Sequence, residues 1–178
     1  MAIVRKYFLS TDSLKELSLI ENNVEAEKLA VMLNRVQKTQ LEVVLGTVLF
    51  KKLLEDIDNN ALSGIYETLV NDYIIDFLIV CCELEYVVSG QNKFANMGVG
   101  SYQPENTNQN NLQQDNDVRD QLKKHRNSYR DSLVGFLMDN KGDIPEYADY
   151  DCSKKEQIKA DGKRQEPYFS VITRKKYI

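Results

Sequence analysis

The sequence predicts a mainly α-helical fold: a bundle of about four helices with a long polar loop or hairpin and an extended C-terminal arm. Three observations support this prediction. The first hundred residues contain no proline, which favours long helices because proline removes a backbone donor. Apolar residues recur at spacings of three and four within several segments. The 178 residues are 42% apolar, which is enough for one buried core.

The N-terminal part of the chain predicts two helices. Ser13 and Glu16 have the spacing of a capping box, so a short helix is expected over residues 13–20. A polar break at residues 21–23 precedes a second helix, which begins near Val24. Its apolar face contains Leu29, Leu33, Val36, Val43 and Val44.

Gly46 interrupts this helical pattern. A glycine inside a helix costs about 1 kcal/mol relative to alanine, so we expect a kink or a helix–helix junction here. Helical periodicity resumes after the glycine and ends at Asn59 and Asn60. The apolar face of this segment contains Leu49, Phe50, Leu53, Leu54 and Ile57.

A third helix, expected over residues 62–88, is apolar on almost all sides. One stripe contains Ile65, Leu69, Tyr73, Phe77, Cys81, Leu84 and Val88. Further apolar residues widen it, namely Ile74, Ile75, Leu78, Ile79 and Val80. A helix of this kind is buried on several sides. It is therefore either the central helix of the bundle or one face of a permanent subunit interface.

Residues 91–114 are different in composition, because 11 of these 24 residues are Asn or Gln and Gly98, Gly100 and Pro104 lie among them. We interpret the stretch as a long polar loop or as a weak β-hairpin around Phe94–Tyr102. Loops of this length in a compact domain are usually functional or disordered.

A fourth helix is expected over residues 115–139, before Lys141 and Gly142. Its apolar stripe includes His125, the single histidine, which we expect to pack or to form a hydrogen bond rather than to act as a ligand. The stripe contains Val118, Leu122, His125, Tyr129, Leu133 and Phe136. In the predicted core, Leu69, Tyr73, Phe77 and Leu84 pack against Leu49, Phe50 and Leu53 and against Leu122, Tyr129 and Leu133.

The chain lacks the motifs of common enzyme classes. It has no GxxxxGK[ST], GxGxxG or GxSxG sequence, and its longest apolar runs are too short for a membrane span or a signal peptide. Cys81 and Cys82 are adjacent on a helix, so their side chains diverge and a place in the core is expected. With Cys152 they make an odd number, which argues against a disulfide framework. We expect no catalytic residue, no cofactor and no metal.

The last part of the chain, from residue 143, is predicted to be an irregular tail. Its basic section, residues 151–178, carries a net charge of +4, whereas residues 1–150 carry −8. We therefore divide the chain into a helical domain, 1–150, and a basic C-terminal arm, 151–178. The expected partner-binding residues of the arm are Tyr168, Phe169, Val171 and Ile172, which form a strand-like apolar patch, together with Lys154 and Lys155.

Two stretches of the chain carry a family resemblance. The first contains Leu45, Gly46, Leu49, Phe50 and Leu53, and the second contains Phe136, Leu137, Asn140, Pro145, Glu146 and Tyr147. With the order of helices around them, over residues 8–150, they resemble the head–tail connector (adaptor) proteins of tailed bacteriophages, especially those of crAss-like and other Bacteroidetes phages.

The resemblance implies a structural protein without enzyme activity. Such a protein is made in the host cytoplasm and forms a ring of twelve copies in the neck of the virion. It contacts the portal and other neck or tail proteins, and double-stranded DNA passes through its lumen. The alternative is a small helical binding or regulatory module that contacts nucleic acid through the basic arm, since clustered lysines and arginines bind phosphates.

Overall fold

The computed structural model describes residues 6–90, 92–95, 98–101, 111–148 and 150, and these residues are mainly helical, as predicted. The α-helices are α1 (Thr11–Leu17), α2 (Ala26–Val36), α3 (Glu42–Leu45), α4 (Thr47–Asp58), α5 (Ile65–Thr68), α6 (Ile75–Gly90) and α7 (Asn111–Asp139). Two π-helical segments, Gln37–Leu41 and Leu69–Ile74, join α2 to α3 and α5 to α6. When each π-helical segment is joined to the α-helices on either side of it, the described residues form five continuous helical rods, whereas about four helices were predicted.

Helix α1 begins earlier than the capping-box spacing indicated. Ser10 is the N-cap residue, and its side chain accepts a hydrogen bond from the backbone N–H of Ser13 at 3.0 Å. The prediction that Ser13 and Glu16 cap the helix is therefore wrong, because both lie inside it. The second helix also begins two residues later than predicted, at Ala26 instead of Val24.

The first π-helical segment contains a buried polar side chain, Gln37, which is 1% exposed. Its Oε1 accepts a hydrogen bond from the backbone N–H of Phe8 at 2.8 Å, and its Nε2 donates to the carbonyl of Lys6 at 3.3 Å. Burying an amide is costly unless it is hydrogen-bonded. The two bonds satisfy the amide and hold the extended N-terminal segment in place, where the Phe8 and Phe50 rings lie 5.3 Å apart.

Gly46 forms a junction between α3 and α4, which confirms one of the two predicted alternatives. Its backbone angles, φ 77° and ψ 155°, lie in a region that is open essentially to glycine alone. A Cβ atom at this position would lie 2.8 Å from the ring of Tyr150. Both the turn between the helices and the close approach of the tyrosine therefore require glycine.

Helix α5, the second π-helical segment and α6 form one continuous rod, Ile65–Gly90, which corresponds to the third helix predicted from the sequence. We call it the third rod after that prediction, and it is central in the fold. Residues 77–82 are six consecutive buried residues, with exposed fractions of 9% or less. Six successive positions cover every side of a helix, so this part of α6 is surrounded by other elements. The structure therefore confirms burial on several sides, although the rod extends to Gly90 and contains a π-helical segment that the periodicity did not predict.

The polar stretch after α6 contains a β-hairpin, which confirms the second of the two interpretations of this region. Strands β1 (Asn92–Ala95) and β2 (Gly98–Ser101) pair antiparallel, with Phe94 opposite Val99. Helix α7 begins four residues before the predicted position, so the stretch that separates it from the hairpin is shorter than expected.

Helix α7 runs antiparallel to the third rod. The rings of Tyr73 and Phe136 lie 4.4 Å apart, while Cys81, further along the rod, interacts electrostatically with Arg126, which comes earlier in α7. The predicted core is mostly confirmed: Leu49, Phe50, Leu53, Leu69, Phe77 and Leu133 are buried. Tyr129 is an exception, because it is 39% exposed, and Leu84 and Leu122 are only half-buried and lie outside the core.

Replacement of Phe77 by alanine tests the central position of the third rod. Phe77 is 1% exposed, so Phe77→Ala should lower the free energy of unfolding by about 3–5 kcal/mol. Urea unfolding followed by circular dichroism measures the change. Met138→Ala, at an exposed position of α7, serves as the control. Similar stability of the two variants would contradict the burial of this rod.

Replacement of Gly46 by alanine tests the junction. Gly64 also has a positive φ, of 59°, but a Cβ there would meet nothing within 4 Å. Both substitutions incur backbone strain of about 1–3 kcal/mol, whereas only Gly46→Ala also displaces the Tyr150 ring. We expect Gly46→Ala to be more destabilising than Gly64→Ala by at least about 1 kcal/mol in urea unfolding. Equal losses would show that the tyrosine does not constrain the junction.

Candidate functional site: the anchored C-terminal segment

The chemically reactive side chains that the sequence pattern singles out in the body are His125, Cys81 and Cys82. In the part of the chain that the structure describes, no group of three or more His, Cys, Asp or Glu residues is placed to hold a metal ion, and no helix is long and apolar enough to cross a membrane. His125 is exposed on α7, so the first of its two expected roles, packing in the core, is wrong, while a hydrogen bond stays a prediction. Cys81 and Cys82 are buried, as predicted. Burial raises the pKa of the Cys81 thiol to about 12, which keeps it protonated and unreactive.

The carboxylates of α6 have structural partners. Glu83 accepts a hydrogen bond from the backbone N–H of Leu19 at 2.8 Å, and Glu85 pairs with Arg35 at 2.7 Å. The first contact attaches the connection between α1 and α2 to the third rod, and the second attaches α2 itself. Both acidic side chains therefore position neighbouring elements.

The segment that follows α7 folds back onto the body, although we predicted an irregular tail from residue 143. Pro145–Tyr147 forms a turn of 3₁₀ helix. Ile144, which precedes the turn, and Tyr147, which ends it, are both fully buried. The Tyr150 ring packs against Gly46 and lies 5.6 Å from the Tyr147 ring. The Tyr150 hydroxyl donates a hydrogen bond to the carbonyl of Val43. We call residues 144–150 the anchored segment, because burial of Ile144 holds its first residue and the contacts of Tyr150 hold its last.

A polar cluster holds the middle of the anchored segment. The Tyr66 hydroxyl donates a hydrogen bond to Oε2 of Glu146 at 2.7 Å. The Nζ atom of Lys52 lies 3.8 Å from Oε1 of Glu146, 3.2 Å from Oδ2 of Asp56 and 4.5 Å from the centre of the Tyr66 ring. Partial burial, the hydrogen bond to Glu146 and the neighbouring negative charges raise the pKa of Tyr66 to about 12. The cluster therefore links α4 and α5 to the anchored segment.

The anchored segment sets the point from which the C-terminal arm leaves the body. Tyr150 is fixed at the α3–α4 junction, so the arm begins at a defined place on the surface. The predicted partner-binding residues Tyr168, Phe169, Val171, Ile172, Lys154 and Lys155 lie outside the described residues.

The sequence contained signals for this site that periodicity alone did not reveal. Tyr147 and Tyr150 follow Pro145 at the end of a helix, and such a density of aromatic residues is unusual for a solvated tail. Tyr66 and Lys52 were missed because their partner, Glu146, is 80 residues away from Tyr66 along the chain.

A comparison with protein families places this site within a shared domain. A family described as "Family of unknown function (DUF6712)" matches residues 41–157. The chain belongs to the DUF6712 family. The DUF6712 match includes both Gly46 and the anchored segment, so the two halves of the site belong to the same family region. No curated protein and no solved structure matches the chain.

The raised pKa of Tyr66 predicts how the stability of the protein changes at alkaline pH. Because the pKa of Tyr66 is higher in the folded protein than its ordinary value of 10, the protonated hydroxyl contributes fully to folding stability below about pH 10. That contribution is lost as the pH rises through about 12. Tyr66→Phe should cost about 1 kcal/mol at pH 8, where the hydrogen bond to Glu146 is lost.

The difference between wild type and Tyr66→Phe should then shrink between pH 10 and pH 12, as measured by urea midpoints across this range. Tyr86→Phe, at an exposed tyrosine of α6, is the matched control and should follow the wild-type curve. A constant difference between wild type and Tyr66→Phe would contradict the predicted linkage.

Proposed function

We propose that this DUF6712 protein is a structural head-to-tail adaptor of a tailed bacteriophage. In this proposal twelve copies form a ring below the portal, in the neck of the virion, and double-stranded DNA passes through the lumen. One observation carries the proposal: the two sequence stretches that resemble phage connectors, around Gly46 and around Pro145, belong to one packing unit. A pattern shared at two distant points of a chain is more informative when both points meet in the fold.

The body and the arm suit ring assembly in different ways. A closed ring needs a heterologous interface, in which one surface of each subunit meets a different surface of the next. The helical body supplies a rigid block, and the anchored segment fixes where the arm begins. An arm of charge +4 joined to a body of charge −8 is suited to reach a neighbouring acidic surface.

The proposal also predicts the character of the channel. Clustered basic side chains hold phosphates in a salt-dependent manner and would slow the passage of DNA. We therefore expect acidic or polar residues to dominate the lumen, and a cryo-electron microscopy map of the assembled ring would test this expectation. A continuous Lys and Arg lining would contradict it.

The assembly itself is tested by co-expression with the portal protein encoded in the same genome. Size-exclusion chromatography with light scattering should show a complex that contains the portal and about twelve copies of the 20.5-kDa chain. A chain that stays monomeric with and without the portal contradicts the proposal. If that monomer also binds DNA in a salt-dependent manner, the nucleic-acid module is the better interpretation.

Deletion of residues 151–178 tests the role of the arm. The truncated protein should keep its helical circular dichroism signal, because the anchored segment and the whole described body remain. It should lose binding to the neighbouring copy or to the portal in pull-down and light-scattering measurements. Assembly with undiminished affinity would show that the arm is not an assembly element.

A further inference from the structure

The third rod and α7 share a broad surface on which several side chains are exposed in the described part of the chain. Because the two helices are antiparallel, the flank of α7 that includes Phe136 lies on the same side as the flank of the third rod that includes Tyr73. We call this surface the α6–α7 face. It is defined by the acidic residues Asp72, Asp76 and Glu83, the half-buried Val87, and the apolar residues Val118, Leu122, Tyr129 and Phe136.

The apolar part of the α6–α7 face is a row along α7. Val118, Leu122, Tyr129 and Phe136 are separated by four, seven and seven residues, so they lie on one flank of the helix. Val118 is 47% exposed and Tyr129 is 39% exposed. Leu122 and Phe136 are half-buried, so Val118 and Tyr129 supply most of the exposed apolar surface of the row.

The acidic part of the face is a second row, on the third rod. Asp72 and Asp76 are exposed, and Glu83 is partly exposed beside Leu19, which is itself 88% exposed. Residues 65–90 contain no lysine and no arginine.

On α7, Arg126 lies beside the apolar row, since it is four residues after Leu122 and three before Tyr129. Arg119, three residues before Leu122, also lies beside the row. The negative charge of the face is therefore confined to its side on the third rod, and the α7 side is apolar with flanking arginines.

We infer that the α6–α7 face is the docking surface for the C-terminal arm, residues 151–178, of a second copy of this chain. The arm has the complementary chemistry: a net charge of +4 and the apolar residues Tyr168, Phe169, Val171 and Ile172. The apolar residues of the arm contact the row on α7, and its lysines face Asp72 and Asp76. This inference rests on the proposed function and identifies the surface that receives the arm.

The length of the arm supports contact with another subunit. Tyr168 is the eighteenth residue after Tyr150, and at about 3.3 Å per extended residue the two can lie up to ~60 Å apart. Helix α7, the longest element, has 29 residues and a length of about 43 Å at 1.5 Å per residue. From its anchor at the α3–α4 junction, the apolar part of the arm can therefore reach beyond its own body.

Photocrosslinking of the full-length protein tests the contact. The photoreactive amino acid p-benzoylphenylalanine replaces Tyr129 on the face, or Val48 on α4 as a control that is 65% exposed. Equal amounts of ¹⁴N-labelled and ¹⁵N-labelled protein are unfolded in urea, mixed and refolded together before irradiation, so that each assembly contains both labels, and mass spectrometry identifies the linked peptides. We expect links from position 129 to peptides of residues 151–178, with mixed isotopes, and no such links from position 48.

Charge variants test the acidic row. Asp72→Asn/Asp76→Asn should reduce the crosslink yield from position 129 at least about threefold in 0.1 M salt, because each exposed charge pair contributes modestly. The difference should disappear in 1 M salt, where the Debye length falls from about 10 Å to about 3 Å. Glu27→Gln/Glu55→Gln removes two exposed carboxylates elsewhere and should leave the yield unchanged.

The outcomes separate this inference from the proposed function. Rings that bind the portal but give no arm peptides from position 129 overturn the docking surface and leave the adaptor proposal standing. Links confined to a single isotope show that the arm folds back on its own body, which also overturns the inference. Mixed-isotope links in a chain that does not form a ring or bind the portal support the surface and contradict the adaptor proposal.

Discussion

The close approach of Tyr150 to Gly46 is the constraint on which the rest of the body depends. The α3–α4 turn needs a backbone conformation that only glycine adopts easily, and the absence of a side chain leaves the space that the tyrosine ring fills. The same contact ends the anchored segment, while the cluster of Tyr66, Lys52 and Glu146 holds its middle. One glycine thus connects the direction of α4 to the place where the arm begins.

The helices could be predicted from the sequence because amphipathic periodicity over ten or more residues is a strong signal. The burial of the third rod could be predicted because its apolar residues cover almost all sides of the helix. The π-helical segments could not be predicted in this way. A π turn pairs residue i with i+5, so it changes the phase of the side chains locally, and the apolar spacing over Leu69–Ile74 does not indicate that change. Likewise, both Ser10 and Ser13 are reasonable N-caps by residue type, and only the fold selects Ser10.

The candidate site was only partly predictable. The junction at Gly46 follows from a glycine between two helical patterns, but the anchored segment depends on contacts across 80 to 107 residues, which local patterns do not reveal. His125 illustrates another limit of periodicity. The apolar stripe of α7 is wider than the surface that the third rod covers, so one edge of the stripe remains exposed and carries His125 with it.

The buried amide of Gln37 has a consequence for the alignment of the N-terminal segment. Its oxygen can only accept and its nitrogen can only donate, so the backbone N–H of Phe8 and the carbonyl of Lys6 bind it in a single register. A slip of that segment by one residue would leave a buried donor or acceptor without a partner, at a cost of about 1–3 kcal/mol. An apolar residue of similar size would allow such slippage. Gln37 therefore selects one alignment of the chain among several that hydrophobic packing alone would accept.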